Sequence, residues 1–171
     1  MAVKWVQFLR KELRSVEKLL VLGTGNALKA DDAAGLLVAS ILENLLTRRQ
    51  KSKVKVLRVY ELIDTYSRRV KRLKPSHLII VDALDMKKTP GTIMVTRLQP
   101  ESGKGKKKVG LEFAKFLENL TSELSCKVIF IGIQPASLDF GHPITQPIRE
   151  ACRQVSEAIA VMTTGQPAKS S

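Results

Sequence analysis

The sequence predicts a three-layer α/β/α domain, on three observations. Short apolar runs of strand length alternate along the chain with segments whose apolar residues recur every three or four positions. One of those runs, "HLIIVDA", is continuously apolar, as a strand covered on both faces requires. The 171 residues suffice for one core that buries about two thirds of the unfolded surface, without a disulfide or metal staple. No internal repeat divides the chain, so residues 1–171 read as a single α/β domain.

The elements follow in order. Trp5, Phe8, Leu9, Leu13 and Val16 fall at helical spacing, which predicts an amphipathic N-terminal helix of roughly four turns within residues 1–17. "KLLVLGTG" is a buried strand ending in glycines. "DDAAGLLVASILENLLTRR" is a helix with Asp31 and Asp32 near its start, where acids complement the positive end of the helix dipole. "KVKVLRVY" alternates as a half-buried strand, and "SRRVKRL" is a short basic helix halted by Pro75. "HLIIVDA" is the third strand and "TIMVTRL", set off by Pro90 and Gly91, the fourth. "PESGKGKKK" is a loop and "GLEFAKFLENLTSEL" a helix. "CKVIFIGIQP" is the fifth strand, and "TQPIREACRQVSEAIAVMTT" a last helix with Pro147 in its favoured first turn. The tail 165–171, "GQPAKSS", reads as disordered.

Composition excludes several classes. The N-terminal stretch carries charges throughout, so it has neither the apolar core of a signal peptide nor a transmembrane segment. Cys126 and Cys152 lack any metal-ligand or CxxC spacing and read as reduced thiols, which points to a cytoplasmic location. The net charge of +13 invites an anionic partner, but the basic stretches "TRRQKSKVK", "SRRVKRLK" and "GKGKKK" contain no interleaved aromatics for base stacking. Sequence-specific nucleic-acid binding is therefore not expected.

The chemistry concentrates in "GTGNALKADDAAG". This is no dinucleotide fingerprint, since Leu28 stands where the third glycine belongs, and no Lys-Ser/Thr pair follows for a phosphate loop. Neither a GxSxG elbow nor a Cys/His arrangement supplies a nucleophile. In an open α/β sheet, functional groups collect beyond the carboxyl ends of the strands, and both Asp32 and Asp82, at the end of "LIIVD", belong on that edge. If the first and third strands are neighbours, the two can converge. Paired carboxylates there suit acid–base work on water or the binding of a cation. The alternative is structural, with Asp32 a helix-start acid and Asp82 the cap of a neighbouring turn.

The stretches "LGTGNALKADDAAG", "PSHLIIVDALDMKKTPGTI" and "VIFIGIQPASLDFGHPITQPIREA" resemble the hydrogenase maturation endopeptidases, most closely the hydrogenase 3 type, over about residues 18–162. The resemblance implies a mixed five-stranded sheet with helices on both faces and one antiparallel strand, which suits "TIMVTRL". It implies removal of a C-terminal extension from a [NiFe]-hydrogenase large-subunit precursor after nickel insertion. No intrinsic cofactor is implied: the nickel arrives on the substrate, with zinc or cadmium as surrogates, and two carboxylates and a histidine recognise it.

Carried onto this chain, the resemblance makes Asp32 and Asp82 the catalytic and metal-facing acids. Gly23, Gly25, Asn26 and Asp31 match the turn around the first acid, and Gln134 and Pro135 the loop after the fifth strand; all six are substrate-binding candidates. The histidine position is occupied by Lys107. Ala33 replaces a family glycine, and the family's Asp-Gly-Gly after the second strand is absent from "VYELIDTYS". His77 starts its strand about five residues, roughly 16 Å, from Asp82 and is out of reach. His142, after the fifth strand, is the remaining candidate third ligand. A lysine at the histidine position keeps open an alternative, a non-catalytic relative that binds the precursor or its metal as a chaperone. The oligomeric state is not legible.

Overall fold

A computed structural model describes residues 3–60, 64–98, 115, 118 and 124–164. The expected loop 100–108, Lys107 within it, nearly all of the helix expected over 110–124 and the tail 165–171 lie outside the described residues.

The chain opens with α1 (Lys4–Glu12), which continues into a 3₁₀ turn at Leu13–Ser15. Then come β1 (Leu19–Thr24), a 3₁₀ turn at Ala30–Ala33 and α2 (Ala34–Leu45). Next are β2 (Val54–Val59), α3 (Asp64–Leu73), β3 (His77–Ala83) and β4 (Ile93–Leu98). β5 (Lys127–Ile133) and α4 (Gln146–Met162) complete the described elements. The second helix thus starts three residues later than its sequence pattern suggests, because the two acids sit in a tighter 3₁₀ turn.

The five strands form one sheet in the order β2-β1-β3-β5-β4. β1, β2, β3 and β5 are parallel, and β4 runs antiparallel to β5. This is the mixed sheet with one reversed strand that the resemblance implied.

Alternation along β1 explains its unbroken apolar run. Leu19 and Val21 face a core shared with Leu9 and Leu13 at the N-terminus, Val38 and Leu42 of α2, and Val155 and Ile159 of α4. Leu20 and Leu22 face the opposite side, against Leu57, Val59 and Val70 of α3. Each face is covered, so a polar residue within Leu19–Leu22 would be stranded without water. Among the described residues no helix is long and apolar enough to cross a membrane.

Candidate functional site

The site begins with how closely α2 approaches the strand ends. Gly35, in the first turn of α2, has no room for a side chain: a Cβ there would lie 2.1 Å from the Val81 carbonyl oxygen and 2.3 Å from that of Thr24. Gly23 is its counterpart on β1, where a Cβ would stand 2.0 Å from the Gly35 carbonyl oxygen. The two absent side chains let the start of α2 rest directly on the ends of β1 and β3.

The turn between β1 and α2 is held from within. Gly25 has φ +147°, and a Cβ there would strike the Asp32 carbonyl oxygen at 1.9 Å. Asn26 accepts a bond from the Leu28 amide at 2.9 Å through its side-chain oxygen and one from the Lys29 amide at 3.2 Å through its carbonyl. Ala30 adopts φ 40°, a left-handed conformation that costs a residue with a Cβ about 1 kcal/mol.

Asp31 secures that strained residue. Its carboxylate is fully buried and accepts four bonds, from the amides of Ala136 (2.9 Å), Ser137 (3.0 Å) and Thr145 (2.7 Å) and from the Thr145 hydroxyl (3.0 Å). Its own amide donates to the Ser137 carbonyl at 3.1 Å. One carboxylate thus ties the first turn of the site to the loop that follows β5. Thr145 is the N-cap residue of α4 and leaves the usual cap bond unmade. Its hydroxyl serves Asp31 instead.

Asp32, the next residue, is half-buried, and Asp82 lies at the end of β3, beside β1. Asp82 Oδ1 accepts the Ala83 amide at 2.8 Å. Its pKa is pushed from 3.8 up to about 7, first by burial and then by the negative charge of Asp32, against the lowering effects of the Thr24 hydroxyl and the Ala83 amide. The two acids therefore share an electrostatic neighbourhood at the carboxyl edge. Thr24 is fixed there, since its hydroxyl donates to the Val81 carbonyl at 3.1 Å.

Gln134 organises the other side. Its Oε1 accepts the Met86 amide at 2.6 Å and the Lys88 amide at 3.2 Å, and its Nε2 donates to Asp85 at 3.3 Å and to the Pro135 carbonyl at 3.1 Å. The loop after Asp82 is thereby clipped to the end of β5. A groove of about 580 Å³, lined in part by Leu84, Asp85, Met86, Lys88 and Met94, opens beside that loop.

The remaining expected site residues differ in their burial. Asp31, Gly23 and Gln134 are buried and build the turn and its loops. Gly25 is half-buried under the same constraint, whereas Asn26 is exposed and Pro135 half-exposed on the edge. His142 is exposed, and among the described residues no three His, Cys, Asp or Glu side chains lie close enough to hold a metal ion. It therefore does not complete a three-ligand centre with Asp32 and Asp82. His77 is buried at the opposite edge, bonded to the Ser76 hydroxyl at 3.0 Å, and burial with the nearby Lys127 charge lowers its pKa. Thr24, Gly35 and Thr145 escaped the sequence reading; only Gly35, four positions after Asp31 in a stretch already rich in small residues, left a visible signal.

Fold and site together define a small α/β protein with a two-carboxylate centre at the strand ends. The family model described as HycI, hydrogenase maturation protease, matches residues 41–162. The chain belongs to that family of hydrogenase maturation endopeptidases. It is 28% identical to the hydrogenase 3 maturation protease of Escherichia coli K12 over 143 residues, covering 82% of this chain and 87% of that protein. The crystal structure of the [NiFe] hydrogenase maturation protease HycI from Thermococcus kodakarensis superposes with a TM-score of 0.82 at 23% identity, over 92% of this chain and 99% of that one. The solution structure of the Escherichia coli endopeptidase HycI gives a TM-score of 0.69 at 27% identity, over 84% and 90%.

Proposed function

We propose that this chain is a cytoplasmic endopeptidase that removes the C-terminal extension of a [NiFe]-hydrogenase large-subunit precursor once nickel is in place. The observation that carries this reading is the burial of Asp82 at the strand ends with the charge of Asp32 beside it, which leaves a carboxyl with a pKa of about 7. Such a group exchanges a proton at neutral pH, as acid–base work on an attacking water requires.

Nickel belongs to the substrate in this scheme. The oxygens of Asp32 and Asp82 grip the precursor-borne ion, and a cation between them draws the Asp82 pKa down and frees its proton. Binding of the loaded precursor is thereby coupled to release of that proton. The groove beside residues 84–88 gives the extended chain around the scissile bond a place to lie. No resident cofactor is needed.

Lys107 favours a second reading. It stands where the family's histidine is expected, and a protonated lysine has no lone pair to offer a metal. A chain so altered would bind the precursor without cutting it.

One experiment separates the two. Purified full-length chain is mixed with nickel-loaded and nickel-free precursor, and mass spectrometry follows loss of the extension. The peptidase reading expects cleavage of the loaded form alone and none by Asp82→Asn, which keeps shape while removing charge. Binding of the loaded precursor with the extension intact would replace it with the chaperone reading.

A further inference from the structure

The positive charge of this protein is localised, and the peptidase site does not use it. Residues 48–74 hold eleven lysines and arginines against two acids, so nine of the thirteen net positive charges fall within 27 residues. That segment builds β2 and α3. β2 is an edge strand, and α3 packs against its Leu57 and Val59 through Val70, Tyr66 and Leu73. The remaining face of α3 turns Arg68, Arg69 and Arg72 to solvent, and β2 adds exposed Lys55 on the same face of the sheet, while Arg58 points to the other face and pairs with Glu43 of α2 at 3.2 Å.

Among the described residues this face carries few compensating acids. Arg68, Arg69 and Arg72 make no ion pair among the described residues. Like charges gathered on one flank repel one another and lower stability, which a purely solubilising surface avoids by mixing signs.

The flank also has a defined relation to the carboxylates. Arg58 is in register with Gly23 of β1, and Gly23 with Val81, the residue before Asp82. Two strand spacings, about 10 Å, separate the carboxyl end of β2, against which α3 packs, from the edge that carries Asp82. The Tyr66 hydroxyl, donating to the Arg58 carbonyl at 3.4 Å, ties α3 to that end of β2.

We infer that the β2–α3 flank is a docking surface for an acidic face of the protein substrate, which it steers onto the neighbouring two-carboxylate edge. The inference rests on the peptidase reading above for the identity of that substrate. An acidic protein fits better than a nucleic acid because the outer face of α3 offers arginines without a stacking platform: its one aromatic, Tyr66, is half-buried and engaged with β2. Charge at the rim of an interface accelerates encounter and is screened by salt, with a Debye length of about 8 Å at physiological ionic strength.

The test compares wild type with Arg68→Glu/Arg69→Glu/Arg72→Glu in the full chain, using the purified nickel-loaded precursor as probe. Arg68→Gln/Arg69→Gln/Arg72→Gln serves should the reversed protein fail to fold. Precursor affinity is expected to fall about ten-fold or more in the reversed variant at low salt, less in the neutralised one. The deficit should shrink to about two-fold or less at high salt, with kcat at saturating precursor unchanged. Equal affinity in all three proteins overturns the inference and leaves the peptidase reading standing. Salt-sensitive binding without cleavage removes the peptidase reading and leaves the docking surface. Tighter wild-type binding to a mixed-sequence RNA than to the precursor, lost in the reversed variant, also overturns it, in favour of a nucleic-acid surface.

Discussion

Adjacent acids, Asp31 and Asp32, do opposite work. Asp31 faces inward with every oxygen engaged, so Asp31→Ala would free the amides of Ala136, Ser137 and Thr145. A loss of about 1–3 kcal/mol is expected in urea denaturation, because hydrogen bonds to a buried charged group are lost while the freed amides, only part-buried, regain water. Nothing in "ADDAAG" tells which acid turns inward; the answer depends on a loop more than a hundred residues away. Asp82 shows the reverse balance. Its folded pKa of about 7 lies above the ordinary 3.8, so between those values the folded chain holds a proton that the unfolded chain has released. Stability therefore falls as pH rises through that window. Metal-free Asp82→Asn should be more stable than wild type at pH 8, by roughly 2–4 kcal/mol, and nearly equal to it at pH 4. An unchanged difference across that range, read by denaturant unfolding, would remove burial of the carboxylate as the cause.

At the scale of elements, the packing of α2 against β1 and β3 depends on backbone touching backbone. Gly35→Ala should cost about 3 kcal/mol or more in thermal unfolding, since its Cβ would fall 2.1 Å from a carbonyl oxygen and neither strand nor helix can yield without moving the site. The strands were legible because the sheet is covered on both faces, which writes continuous apolar runs into β1, β3 and β5. Strand order was not legible, as alternation records which faces are buried and not which neighbour is bonded. The reversal of β4 came only through the resemblance. The 3₁₀ turn at Ala30–Ala33 was missed for a related reason: alanines and acids suit the first turn of an α-helix equally well, and the tertiary bonds of Asp31 decide between them.

Over the whole molecule, the charge excess was visible in composition, but its address was not. Three basic stretches look dispersed when read along the chain, and two become one flank once β2 takes the sheet edge and α3 folds against it. The shared edge of Asp32 and Asp82 was legible, because both stand at the carboxyl ends of parallel strands that the topology makes neighbours. Burial of Gly23, Asp31 and Gln134 was not legible, because it depends on loops distant in the chain. The bonds from Asp31 to Ala136, Ser137 and Thr145 carry one more consequence, concerning synthesis. The first acid of the site leaves the ribosome early, while the segment that seats it emerges only after most of the chain. A nascent or prematurely terminated polypeptide ending before residue 136 can own both carboxylates and still lack the setting that aligns the first of them. The turn that carries Asp32 is thus seated only once residues 136–145 have been made.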